Sequence, residues 1–83
     1  MNYFYILRSE KDGLHYYGST NDLKRRFMQH IGGKVSATAY RLPISLVYYE
    51  AYVSIDQARR REKQVKNSGS VRLSIHQRIC THP

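Results

Sequence analysis

The sequence predicts an α+β domain in which helices flank a small three-stranded antiparallel or mixed sheet, in the order β-β-α-β-α-α. Three features carry that prediction. An aromatic and β-branched run leads into Asp-Gly, a stretch of helical periodicity stops at two glycines, and a capping-box sequence opens a segment free of helix breakers.

Residues 2 to 8, Asn-Tyr-Phe-Tyr-Ile-Leu-Arg, read as the first strand, and the polar loop from Ser9 to Gly13 closes on Asp12-Gly13, a hairpin signal. Residues 14 to 18 are then its partner strand. Ser19, Thr20, Asn21 and Asp22 offer four N-cap side chains, after which Leu23, Arg26, Phe27, His30 and Ile31 recur at helical spacing until Gly32-Gly33. Residues 34 to 43 have no period and end in Pro43, which reads as an exposed, positively charged connection. Residues 44 to 52 form the third strand. Ser54-Ile55-Asp56-Gln57 has the form of a capping box for a helix over 55 to 66, closed by Asn67-Ser68-Gly69. Apolar residues at 71, 75 and 79 predict a shorter final helix, with Cys80-Thr81-His82-Pro83 as a frayed end.

At 83 residues the expectation is one domain over 1 to 83, burying somewhat more than about 60% of the unfolded chain's surface. A dinucleotide-binding fold or a large barrel enzyme is excluded by size. A hydrophobic content of 41% excludes a disordered basic tail. The single cysteine, Cys80, allows no internal disulfide, and no apolar run is long enough to span a bilayer, so a cytoplasmic protein without a membrane partner is expected. Fourteen Lys and Arg against six Asp and Glu give a net charge of +8, a positive field that favours nucleic acid. Without Trp or a basic amphipathic helix, the anionic-membrane alternative is disfavoured.

Three constellations carry chemistry. On the helix over 55 to 66, Ile55, Ala58, Glu62 and Val65 share one arc, so Glu62 falls in the buried stripe while Arg59, Arg60, Arg61 and Lys63 point elsewhere. Two readings fit a carboxylate there: a buried salt bridge to Arg26 or Arg41, or a ligand for a divalent cation. On the first helix Leu23, Phe27 and Ile31 make the core side, with Arg26 and His30 along its edge. They read either as a snorkelling Arg and a His bonded to a carbonyl, or as groups that neutralise phosphate charge and position a nucleophile. Tyr3, Tyr5 and Tyr16 stand on the hairpin, with Tyr17 on the face opposite Tyr16, as core bodies or as a source of a general base. A two-metal site is improbable: Glu10 and Asp12 lie in a turn and Asp22 and Asp56 at helix starts, leaving Glu50 and Glu62. His76, Cys80 and His82 lack the paired spacing of a structural zinc site.

Tyr3-Phe4-Tyr5-Ile6-Leu7, then Tyr16-Tyr17-Gly18-Ser19-Thr20-Asn21-Asp22-Leu23-Lys24-Arg25-Arg26, then His30 and Arg61-Glu62, resemble the GIY-YIG nuclease superfamily, specifically its small stand-alone members. Phe4-Tyr5-Ile6 stands loosely in place of the first tripeptide, and Tyr16-Tyr17-Gly18 fits the second with Tyr for Ile. The resemblance implies an endonuclease of DNA repair or processing that hydrolyses phosphodiester bonds in DNA with one Mg²⁺ or Mn²⁺. It implies Tyr5 and Tyr16 as the motif tyrosines, one of them serving or assisting the general base. Arg26 matches the arginine that stabilises charge on the phosphate, His30 its companion one turn later, and Glu62 the metal ligand; Asn67 is a loose match to a late asparagine. DNA is expected across the concave face of the hairpin and first helix, with phosphate contacts from Lys24, Arg25, Lys34, Arg41, Arg59, Arg60 and Lys63. The alternative is a catalytically silent nucleic-acid-binding module of the same fold.

Overall fold

The structure, a computed structural model, describes residues 1–80, with the side chain of Cys80 left aside; His82 and the expected frayed end at 81–83 lie outside the described residues. Its elements are β1 (Asn2–Ser9), β2 (His15–Thr20), α1 (Leu23–Ile31), a short 3-10 turn (Ala39–Arg41), β3 (Ile44–Tyr52), α2 (Ile55–Asn67) and α3 (Gly69–Cys80). This is the predicted β-β-α-β-α-α order. The sheet is antiparallel throughout, in the order β2-β1-β3, so β1 is central and β2 is left with a free edge.

Local chemistry accounts for the element ends. In the hairpin, Gly13 takes φ +73 and the Ser9 amide donates to the Leu14 carbonyl at 2.9 Å, closing the turn that Asp12-Gly13 signals. Asp22 is the N-cap of α1, its carboxylate accepting from the Arg25 amide at 3.1 Å. Ser54 and Gln57 form the capping box of α2 in both directions. Gly69 opens α3 instead of closing α2, because the Ser68 side chain accepts from the Val71 amide and so caps the next helix.

Alternation along the strands sorts the side chains onto two faces. Phe4 and Ile6 point to one face and, with Val65 of α2 and Ile75 of α3, form the buried cluster. Tyr17, Val47 and Tyr48 pack around it. The opposite face carries Tyr5 and Leu7, both buried, beneath α1 and the segment that follows it. That segment is only partly the exposed connection expected of residues 34 to 43: Val35 and Thr38 are buried, while Lys34 and Tyr40 are exposed. It has no period because single side chains, and not a face, turn inward.

Candidate active site

Register brings the two motif tyrosines together. Tyr5 pairs with Gly18 and Leu7 with Tyr16, so Tyr5 and Tyr16 lie diagonally on one face, their ring centroids 6.4 Å apart. Gly18 has a specific role here. A Cβ built on it would stand 2.5 Å from Tyr5 Oη and 2.6 Å from Cζ, so the phenol crosses β2 through space that only glycine leaves open. Its tip thereby lies over β2, an edge strand.

Two residues of α1 meet it there. His30 is fully buried, its Nε2 2.9 Å from Tyr5 Oη and its Nδ1 2.8 Å from Thr38 Oγ1, with its ring centroid 5.1 Å from that of Tyr16. This corrects the expectation from helical spacing, which put His30 at the edge of the core side and Ile31 within it: Ile31 is 39% exposed. Two hydroxyls satisfy both ring nitrogens, so the imidazole is buried without an orphaned polar atom. Neither partner is a carbonyl. Burial, and after it the positive charge of Arg26, hold His30 down at about 4, so the ring is neutral at physiological pH. Burial pushes the Tyr5 phenol up to about 12, with the Arg26 guanidinium opposing the rise and the Tyr16 phenol and Glu62 carboxylate adding to it.

Glu62 approaches from the other face. Ser19, adjacent to Gly18 and so pointing away from Tyr5, donates its hydroxyl to Glu62 Oε1 at 2.7 Å. Lys66, one turn along α2, donates to Oε2 at 2.6 Å. Glu62 therefore does not form the buried pair with Arg26 or Arg41 that one reading of the sequence offered, and its side chain is 21% exposed rather than buried. The buried-type pair of this protein is a different one. Arg61, expected to point away from the protein, donates from Nε and Nη2 to the two oxygens of Glu50 at 2.8 and 3.1 Å, and Tyr48 and Tyr52 each donate to Glu50 at 2.6 Å. Burial alone would raise the Glu50 carboxyl, but the Arg61, Tyr48 and Tyr52 bonds outweigh it and hold the group below the usual carboxylate range. The Tyr48, Glu50, Tyr52 alternation on one strand face was the available signal for this cage.

Between α1, the end of β2 and α2 lies an open cleft of about 290 Å³, lined by Ser19, Arg25, Arg26, Gln29 and Arg59 among others. Arg26 donates to Gln29 Oε1 at 3.2 Å. The cleft is thus closed by α2 as well as by the hairpin and α1. Lys24 lies instead on the other flank of α1, at a larger groove of about 490 Å³ beside Tyr3, Phe27 and Tyr49, which contains none of the five catalytic candidates. Arg60 faces a third hollow with Tyr52 and Gln64. Lys34, Lys63 and Asn67 are exposed. Arg41 is held at the hairpin turn, its Nε 3.3 Å from Asp12 and its carbonyl accepting from Ser9. Among the described residues no group of three or more His, Cys, Asp or Glu could hold a metal ion, and no helix is long and apolar enough to cross a membrane.

The family model for the GIY-YIG catalytic domain matches residues 1–73. A UPF0213 protein of Bacillus pumilus (strain SAFR-032) is 39% identical over 66 residues, covering 78% of this chain and 66% of that protein. The UPF0213 protein SpyM50708 of Streptococcus pyogenes serotype M5 (strain Manfredo) is 46% identical over 57 residues, 68% of this chain and 61% of its own length. The chain thus spans slightly under two thirds of these curated relatives. The solution NMR structure of the UPF0213 protein BH0048 from Bacillus halodurans superposes with a TM-score of 0.57 at 38% identity, covering 93% of this chain and 84% of that one.

Proposed function

The chain belongs to the GIY-YIG nuclease superfamily, and from that premise we propose that it is a divalent-metal-dependent endonuclease hydrolysing phosphodiester bonds in DNA. The observation that carries this reading is the cluster of Tyr5, Tyr16 and His30 with Arg26 beside it, Arg26 also lining a cleft rich in arginine, and Glu62 held across β2 by Ser19, another residue of that cleft.

Glu62 suits Mg²⁺ or Mn²⁺. It is a hard oxygen donor at partial exposure, and both ions favour one or two carboxylates completed by water and substrate phosphate oxygens. Such an ion supplies positive charge to the phosphate and makes a bound water more acidic. The protein does the rest with its own side chains. Arg26 stabilises the charge that develops on the phosphate oxygens, one of the two motif tyrosines takes the proton of the attacking water, and His30 holds the Tyr5 phenol in place. Arg25 and Arg59 in the cleft, together with the exposed Lys34 and Lys63, bind the backbone without reading bases. Arg41, paired with Asp12 at the hairpin turn, and Lys24 and Arg60, which face other hollows, extend the proposed backbone contact beyond the cleft.

The test is a metal-dependence assay on labelled single-stranded, duplex, flap and branched DNA. Wild type is expected to cut at least one substrate with Mg²⁺ or Mn²⁺, and Glu62→Ala and Arg26→Ala to lose cleavage at equal folded concentration. A wild type that cuts nothing but binds tightly and salt-sensitively is instead a silent binding module.

A further inference from the structure

We propose that the groove on the other flank of α1 is a binding site for an unpaired nucleobase, which stacks on Tyr49 while the backbone of its strand is held by Lys24 and by the arginine cleft. The inference deepens the nuclease reading and rests on its nucleic-acid substrate for the identity of the ligand.

The groove of about 490 Å³ lies between the N-terminal half of α1 and the sheet face that carries Tyr5. That volume falls within the about 300–1,000 Å³ typical of small-molecule sites. Leu23 and Phe27 from α1 and Leu46 from β3 make its apolar walls. Tyr3 and Tyr49 stand on adjacent strands, edge to face, with ring centroids 6.0 Å apart and planes at 68°. Such a contact covers at most one face of a ring, so Tyr49, 55% exposed, keeps a face for a flat aromatic partner. Four polar groups line the groove uncommitted. Among the described residues the side chains of Asn21 and Lys24 and the hydroxyls of Tyr3 and Tyr49 make no hydrogen bond or ion pair. Asp22, the carboxylate of the groove, is occupied with the Arg25 amide as the N-cap of α1. An apolar hollow with a few free polar groups suits a ligand that is flat, apolar on its faces and polar at its edges, and a nucleobase is such a ligand.

What selects a nucleobase over a second copy of this chain is the groove's continuity with the arginine cleft. Asn21 lines both hollows. Lys24 and Arg25, consecutive in the first turn of α1 and both exposed, serve one hollow each. A strand whose phosphates lie against Arg25, Arg26 and Arg59 therefore meets the groove where it crosses the turn between β2 and α1, and Lys24 takes a further phosphate there. A second copy would instead bring a net charge of +8 against the same cations. In a duplex the bases face their partners, so only an unpaired base reaches Tyr49. Every base has a face to stack, which makes the site a reader of strandedness and not of sequence.

The experiment is fluorescence anisotropy of the full chain, without metal, on a labelled oligothymidylate, the same strand made abasic throughout, and a duplex of equal length at matched ionic strength. Tyr49→Leu, which keeps apolar bulk and removes the ring, is expected to weaken oligothymidylate binding about 5- to 150-fold, the effect of one lost aromatic stack. Tyr49→Phe binds like wild type. Duplex and abasic binding are unchanged in Tyr49→Leu, whereas Lys24→Ala weakens oligothymidylate binding and lowers its salt dependence by about one phosphate contact. Circular dichroism sets each comparison at equal folded concentration. Oligothymidylate binding that ignores Tyr49→Leu overturns the site, as does an equal loss on all three probes. Sedimentation showing a wild-type dimer that Tyr49→Leu dissociates also overturns it, since a second copy then closes the groove. A wild type that cuts no DNA but binds single strands through Tyr49 supports the site while overturning the nuclease reading, and one that cuts DNA with no dependence of binding on Tyr49 does the reverse.

Discussion

Substituting Gly18→Ala tests the geometry that brings Tyr5 to the sheet edge. Alanine in a strand interior ordinarily gains about 0.5–1 kcal/mol over glycine, because the unfolded chain has less freedom to lose. Here the added methyl would lie 2.5, 2.6 and 3.0 Å from Tyr5 Oη, Cζ and Cε1, and Tyr5 is 1% exposed, so its ring has nowhere to retreat. Overpacking of that kind costs about 1–3 kcal/mol. Moving the phenol also breaks its bond to His30, worth about 1 kcal/mol and more when a buried nitrogen is left unpaired. The net expectation is a loss of about 2–3 kcal/mol, equivalent to roughly 10–20 °C in melting temperature for a domain of this size. Thermal denaturation followed by circular dichroism, on Gly18→Ala, Tyr5→Leu and the double variant, separates the terms. In the Tyr5→Leu background the methyl meets no phenol, and Gly18→Ala becomes neutral or stabilising. A single Gly18→Ala as stable as wild type, or one whose cost is the same with and without the Tyr5 ring, refutes the reasoning.

Two further outcomes follow from the buried polar groups. His30 has its folded-state value lowered to about 4, so between pH 6.5 and 4 the unfolded chain binds a proton that the folded chain refuses. Stability therefore falls as pH drops through that window, by about 1.4 kcal/mol for each unit of displacement, and chemical denaturation of His30→Gln shows a flatter profile there. Glu50→Ala costs about 2–4 kcal/mol, because it strands the Arg61 guanidinium and two phenols, whereas Glu62→Ala changes stability by less than about 1 kcal/mol, since its Lys66 partner is half exposed. Urea titration of both variants checks the contrast, and equal costs would sink it.

Much of the fold was legible because its signals are local. Asp12-Gly13, Asp22, Gly32-Gly33 and Ser54 with Gln57 act within a few residues, and the element order follows from them. Helical spacing singled out Glu62, Arg26 and His30, and motif likeness gave a role to each of the five candidate catalytic residues. Helical spacing failed where a polar partner in another element decided the matter. Arg61 turned inward because Glu50, Tyr48 and Tyr52 on β3 offered it a cage, and His30 went into the interior because Tyr5 and Thr38 satisfied both nitrogens.

The sequence by itself determined the class of fold, the caps and turns, and the charge that favours a phosphate-bearing partner, since each depends on composition or on neighbours along the chain. Only the tertiary structure decided that the cleft opens between α1, the end of β2 and α2, that Glu62 is held by Ser19 and Lys66, and that Thr38 stands behind His30. The reason is that hydrogen-bond satisfaction of buried groups is a property of pairs distant in sequence. No periodicity records which hydroxyl will meet which nitrogen once the chain has closed.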